Sequence, residues 1–195
     1  MKNYIELIEN TISELNKSDE AKELIISLVR KLNRLSGKGI AKLTKYQEYI
    51  DILQNARDIK SQITKLISDS NNNHIWSLTI SGIEEYCEFE FLHAIINHKN
   101  LPSPSELGVP SWLWMSAVGD IIGELRRIML HNLIEKNIEN AKEILHNILF
   151  FQELLAGLDF SKNLIPNFRR KMDISRALTE KSQSDFANAI INKSS

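Results

Sequence analysis

Cysteine is nearly absent from this sequence, and long hydrophobic runs are missing altogether. Cys87 is the only cysteine, so the chain cannot form an internal disulfide, and a reducing compartment fits. No apolar stretch approaches the roughly 20 residues that a membrane-spanning helix needs. The N-terminal residues also lack the apolar segment of a secretory signal. We therefore predict a cytoplasmic protein without a membrane segment.

Residues that turn the chain are also scarce, with seven glycines and four prolines among 195 residues. Leu, Ile, Lys and Glu are abundant instead, and they favour long helices over many short strands. The length suits one domain built around one core. We predict an all-α fold in which residues 1–195 form a single-domain bundle of about seven long helices, with a polar tail from about residue 182.

An excess of positive charge is missing too, because the formal net charge is -1. Any surface that binds nucleic acid must therefore be local. Five basic residues recur at intervals of three or four, and they form one stripe if a helix persists through Gly37 and Gly39. Such a row suits a phosphate backbone, although a solvated lysine face has the same pattern. The five residues are Lys31, Arg34, Lys38, Lys42 and Lys45.

Two acids interrupt the apolar face of a helix predicted over 83–97. At roughly 100° per residue, Glu85 and Glu88 fall in the same arc as Phe89 and Leu92. Burying an unpaired carboxylate costs several kcal/mol, so such acids need a cation, a basic partner or protons. A boundary position or an internal salt bridge remains the plainer interpretation of this pattern.

A second acidic pair lies on the helix predicted over 112–133. Asp120 and Glu124 are four residues apart and therefore point the same way, on the side opposite the apolar face. Their neighbours are small, which would let another backbone or a ligand approach closely, although an ordinary solvent face is the alternative. These small neighbours are Ala117, Gly119 and Gly123.

Convergence of the two helices would bring four carboxylates together. Four acids side by side cannot all stay ionised without cations. Sites rich in oxygen select Mg²⁺ or Mn²⁺. Two such ions about 4 Å apart would activate a water and stabilise the leaving oxygen in phosphodiester cleavage.

Several segments together resemble the translin family. Residues 84–91 (EEYCEFEF) resemble its motif Gln-Glu-Tyr-x-Glu-Ala, with departures at Glu84 and Phe89. Residues 119–130 (GDIIGELRRIML) are similar to its Asp-x-x-Gly-Glu-Leu-x-Arg signature. Residues 168–176 (FRRKMDISR) resemble its closing Leu-Arg-Arg-Lys-x-Asp-x-x-Arg pattern. A Leu-Pro-Ser loop followed by Gly-Val lies between the first two motifs, in the family's order.

The resemblance implies a translin-like fold that assembles into hollow octamers and binds single-stranded RNA or DNA. The family's Trax branch (translin-associated protein X) carries metal-binding acids and acts as an endoribonuclease. Glu85, Glu88, Asp120 and Glu124 stand where that branch carries its acids. We therefore expect a Trax-like, archaeal-type homologue that forms a homo-octamer. We expect it to cleave RNA with Mg²⁺ or Mn²⁺ by a two-metal mechanism.

Three further basic residues are expected to contact nucleic acid. Arg127, one turn from Glu124, could orient the carboxylates or hold the scissile phosphate. Arg170 and Lys171, in the closing motif, are expected to be free for phosphate contact.

Two other functions compete with the nuclease. One is a translin-like scaffold that binds nucleic acid without cleaving it. The other is a di-iron carboxylate bundle, because Glu-x-x-His occurs at Glu90–His93 and at Glu143–His146. Helical plots place both of these motifs on polar faces, which disfavours an internal iron site.

Overall fold

The computed structural model describes residues 2–69 and 76–193, and these residues form helices without any strand. The predicted all-α fold is confirmed. Six of the seven helices are long, whereas α4 is a single turn of four residues. The helices are α1 (Lys2–Leu43), α2 (Ile50–Asp69), α3 (Trp76–Ile96), α4 (Pro104–Leu107), α5 (Ser111–Ile134), α6 (Ile138–Leu155) and α7 (Phe168–Lys193).

Helix α1 runs unbroken through both of its glycines, so the condition for a continuous basic stripe is met up to Leu43. The glycines are where another helix comes close. A Cβ at Gly39 would lie 2.2 Å from Cζ of Phe89, and a Cβ at Gly82 would lie 2.8 Å from Cγ1 of Val29. In these contacts the residue numbers increase together along the two helices, so α1 and α3 run parallel.

Helix α3 lies at the centre of the bundle, packed against α1, α2 and α5. Its large side chains, such as Phe89, Phe91 and Leu92, are completely buried. One connected cluster of buried hydrophobic residues includes members of all six long helices. The six long helices therefore share one core. Polar side chains of α3, among them Glu88 and Glu90, are buried as well.

The C-terminal part of the chain differs from the predicted polar tail. Helix α7 continues to Lys193, and its later turns pack against the bundle. Ser182 and Phe186 are buried, and Arg126 of α5 forms a 2.6 Å ion pair with Asp185. The sequence is polar here because only one stripe of the helix contacts the core.

In residues 2–69 and 76–193, no helix is both long enough and apolar enough to cross a membrane.

Candidate metal centre

The small residues of α5 allow α7 to lie directly on it. A Cβ at Gly119 would be 3.4 Å from Cβ of Lys171, and the Ser175 hydroxyl donates a 2.9 Å hydrogen bond to the Gly119 carbonyl. Ala117 and Gly119 are buried rather than solvent-facing. The expected close approach of another backbone is therefore confirmed, and the alternative of an ordinary solvent face is wrong.

The four predicted acids come together between α3 and α5. Glu88 is buried, with 7% of its surface exposed, and Glu85, Asp120 and Glu124 are half-buried. Burial, and then the charge of Asp120, raises the pKa of Glu88 well above its usual value. Burial and the charge of Glu124 raise the pKa of Glu85. Acids that perturb each other's ionisation in this way occupy one electrostatic site.

Two of the four acids already have cationic partners. Arg127 Nη1 donates to both oxygens of Glu124 at 2.9 and 2.8 Å. Lys171 Nζ lies 2.8 Å from Oδ2 of Asp120. Burial raises the pKa of Asp120, and the hydrogen bond from Lys171 only partly opposes that effect.

Lys171 is not the free cation that the sequence analysis expected. Its Nζ also donates to Glu84 Oε1 at 2.9 Å, and to the carbonyl and hydroxyl oxygens of Ser116 at 3.1 and 2.7 Å. Only 16% of its side chain is exposed. Sequence reasoning missed this contact because no local rule pairs residues 87 positions apart. The one available signal was Glu84 itself, an acid where the family motif has a neutral Gln.

Glu85 and Glu88 have no such partner. Within the part of the chain that the structure describes, neither carboxylate forms an ion pair or accepts a hydrogen bond. Glu85 Oε1 lies against α1, 3.1 Å from where a Cβ of Gly37 would be. A buried carboxylate left in this state needs a proton or a cation.

The chemistry of these donors fits a hard divalent cation, since all are carboxylate oxygens. Their present arrangement does not enclose one. Over the described ranges, no three His, Cys, Asp or Glu side chains form a group that could hold a metal ion. Arg127 and Lys171 already pair with Glu124 and Asp120, whereas Glu85 and Glu88 have no cationic partner among the described residues.

The predicted basic stripe lies on the surface of α1. Lys31, Arg34 and Lys38 are exposed, and none forms an ion pair within the described residues. Lys42 is half-buried and donates to the Glu48 carbonyl at 3.1 Å, and Lys45 lies beyond the end of the helix. Gly37, against which Glu85 lies, belongs to the same helix. Helix α1 therefore carries the basic stripe and also contacts one of the acids.

Two further residues predicted to contact nucleic acid, Arg170 and Arg127, differ in whether they already have an ion-pair partner. Arg170 is exposed at the start of α7 without an ion pair within the described residues. The Arg127 side chain is 57% exposed, but its guanidinium holds Glu124, which supports the proposed orienting role over free phosphate binding.

A second polar cluster lies on the other side of α3, on the polar face predicted for Glu90 and His93. Glu90 is buried, and Arg57 binds its two oxygens at 2.7 and 2.8 Å. The Tyr86 hydroxyl donates to the same carboxylate at 2.8 Å. Burial and the Glu90 charge raise the pKa of Tyr86. The predicted polar face is present, but Glu90 and Tyr86 on it are buried, and Arg57 of α2 binds Glu90.

This cluster also bears on the di-iron alternative. Glu90 is occupied by Arg57 and Tyr86, and His93 Nδ1 lies 3.0 Å from the Tyr49 hydroxyl. Glu143 Oε1 lies 3.5 Å from Nδ1 of His98 on the surface. Glu90, His93 and Glu143 therefore have other neighbours, and the described residues contain no metal-holding group that joins the two motifs.

Comparison with known proteins supports the fold. No family model matches the chain. An uncharacterised protein of Methanocaldococcus jannaschii is 26% identical over 197 residues, covering 97% of this chain and 88% of that protein.

Solved structures agree more closely in shape than in sequence. The archaeal AfC3PO superimposes with a TM-score of 0.86 at 24% identity, covering 96% of this chain and 99% of that one. Apo-NeC3PO from Nematostella gives a TM-score of 0.83 at 24% identity, covering 93% and 96%. AfC3PO in complex with duplex RNA gives 0.76 at 22% identity, covering 95% and 97%. These neighbours are C3PO (translin/Trax) structures, so the predicted translin-like fold is confirmed.

Proposed function

We propose that this chain is a Trax-like member of the translin family that binds RNA and cleaves it with Mg²⁺ or Mn²⁺. The fold, the ordered motifs and the complex of AfC3PO with duplex RNA support the binding function. One observation carries the catalytic part of the proposal. Glu88 is buried beside three other acids and has no partner among the described residues, which is an arrangement that a divalent cation would relieve.

Each acid has a distinct role in this proposal. Glu85 and Glu88 would hold the divalent cation, which would supply an activated water and offset negative charge at the scissile phosphate. Asp120 and Glu124 face them from α5 and orient the site. Arg127 fixes Glu124 through two hydrogen bonds and, being more than half exposed, stays within reach of a substrate phosphate.

The substrate is single-stranded RNA, with single-stranded DNA as a weaker ligand. We propose that Lys31, Arg34 and Lys38 contact the backbone, with Arg170 as a further contact. Contacts of this kind recognise phosphates and give little sequence preference. A homo-octamer and a cytoplasmic location complete the proposal.

Cleavage is tested with labelled single-stranded and duplex RNA in Mg²⁺ or Mn²⁺. We expect the wild type to cut the single strand and EDTA to stop it. We expect Glu88→Gln to lower the rate by about 10²-fold or more while leaving binding intact. Glu139→Gln, the same change at an exposed position, is the matched control. Cleavage that persists in EDTA or in Glu88→Gln would rule out the proposed metal chemistry.

The binding surface is tested by replacing Lys31, Arg34 and Lys38 with Gln. The slope of log affinity against log salt should decrease by about 2, because each lost phosphate contact contributes roughly 0.7 for a single strand. The matched control replaces three exposed lysines elsewhere, Lys142, Lys162 and Lys181. Equal effects in both variants would mean that α1 is not the binding surface.

A binding-only scaffold is the second candidate function. It is favoured by the cationic partners of Asp120 and Glu124 and by the lack, over the described ranges, of an arranged metal-holding group. RNA binding by the wild type without cleavage in either metal would establish this alternative.

A further inference from the structure

An open cavity of about 680 Å³ lies on the side of α3 away from the acidic cluster, between α2 and residues 102–107. Its basic residues all come from α2. Arg57, Ser61 and Lys65 follow each other at intervals of four residues, so they line up along one side of the helix, and Lys60 is next to Ser61. Three cations therefore border one opening.

Lys60 is the buried cation of this cavity, with 8% of its surface exposed. Its Nζ donates to the Gly108 carbonyl at 3.0 Å, and no other hydrogen bond or ion pair holds it among the described residues. An ammonium has three protons to donate, so two of them lack an acceptor in the part of the chain that the structure describes. Burial lowers the pKa of Lys60, and only the Cys87 thiol opposes that effect.

The loop after α4 is shaped around this ammonium. Gly108 has a φ of +58°, and a Cβ there would lie 2.8 Å from Nζ of Lys60. The other well-buried lysine, Lys171, has a different environment, because its ammonium contacts the carboxylates of Asp120 and Glu84. Lys60 is held at the wall of its cavity without any such acid.

The acids that line the cavity already have donors. Glu90 is bound by Arg57 and Tyr86. Glu106 Oε2 accepts hydrogen bonds from the backbone nitrogen and the hydroxyl of Ser103, both at 2.7 Å. Arg57 uses Nε and Nη2 for Glu90, which leaves Nη1 available. The cavity thus keeps cationic charge and unused donors, and an anion would satisfy both.

We propose that this cavity binds a phosphate group, held by the Lys60 ammonium with the Ser61 hydroxyl and the Lys65 ammonium beside it. Several cations around one anion suit the two charges of a phosphate better than the single charge of a carboxylate. The volume falls within the range of about 300–1,000 Å³ that is typical of sites for small organic ligands, so a phosphate that carries a sugar also fits. The proposal does not depend on RNA cleavage, because the acidic cluster lies across α3.

Isothermal titration calorimetry on the full chain tests the proposal with inorganic phosphate and ribose 5-phosphate, in chloride buffer of constant ionic strength. We expect both to bind and ribose itself not to bind. Tighter binding of ribose 5-phosphate identifies the ligand as a phosphate ester, and tighter binding of inorganic phosphate identifies it as the free ion. Lys60→Met should weaken binding by about tenfold or more. Lys142→Met, at an exposed position without an ion pair in the described residues, is the matched control.

Lys60→Met also removes the hydrogen bond to the Gly108 loop, so a second pair of variants decides if it does not fold. Ser61→Asp places a negative charge beside the ammonium and should abolish binding, whereas Ser61→Asn has nearly the same shape, can still donate and should retain it. No binding to the wild type, or binding that persists in folded Lys60→Met or in Ser61→Asp, would overturn the proposal. Loss of binding in the triple Gln variant of α1 would overturn it too, because the phosphate would then lie on the basic stripe.

Discussion

Two buried glutamates, two residues apart on α3, have opposite surroundings. Glu88 and Glu90 expose only 7% and 4% of their surfaces. Glu90 has its two oxygens bound by Arg57 and accepts a third hydrogen bond from Tyr86. Glu88 faces three other acids and has no partner among the described residues. Burial alone therefore does not distinguish a structural carboxylate from a functional one, whereas its partners do.

The difference follows from the position of α3 in the bundle. Residues two apart on a helix point about 200° away from each other, so the two acids face different neighbours. On one side α2 presents Arg57. On the other side α5 presents Asp120 and Glu124. We interpret the first side as support for the fold and the second as the site.

Removing Arg57 should have the largest effect on stability. Arg57→Met leaves the Glu90 carboxylate buried without its cation, and we expect a loss of about 2–3 kcal/mol in the free energy of unfolding. This is less than for a fully buried pair, because 43% of the Arg57 side chain is exposed. Urea denaturation measures the loss, with Arg34→Met as the exposed control. A loss of stability equal to that of the control would contradict our interpretation that the Arg57 side of α3 supports the fold.

Neutralising Glu88 should increase the free energy of unfolding, whereas removing Arg57 should decrease it. Burial and the neighbouring acids raise the pKa of Glu88 in the folded state, so its contribution to stability is present below about pH 4.5 and is lost as pH rises through the folded-state pKa. Without metal at pH 7, Glu88→Gln should therefore be more stable than the wild type, because the variant does not have to ionise a buried carboxyl group.

The measurement is urea denaturation in EDTA from pH 4 to pH 8. The advantage of Glu88→Gln should shrink toward the acid end of this range. A variant that is less stable than the wild type at pH 7 would show that Glu88 has a favourable partner after all.

The smallest effect is expected at Tyr86. Tyr86→Phe removes the hydroxyl that donates to Glu90 but leaves both Arg57 hydrogen bonds, so we expect a loss of about 1 kcal/mol. Combining it with Arg57→Met in a double-mutant cycle should give a non-additive total, because both partners bind the same carboxylate. Strict additivity would mean that the two contacts do not act as one cluster.

Much of the fold and the acidic part of the site could be predicted from the sequence. The 3.6-residue pattern gave the helices, and the placement of Glu85 and Glu88 among apolar positions indicated acids that face inward. The contacts of Lys171 and Arg57 could not be predicted in this way, since each joins residues on separate helices. Helical periodicity tells which side of a helix is apolar, but not which other helix covers its polar side.

The contact between Gly39 and Phe89 limits how this protein can vary. Phe89 stands where the translin motif usually has Ala, and its ring fills the space that a side chain at position 39 would need. The Phe89 ring therefore fits only because the residue opposite it, Gly39, has no side chain. A smaller residue at position 89 would make room for a larger one at position 39, so substitutions at the two positions should compensate each other.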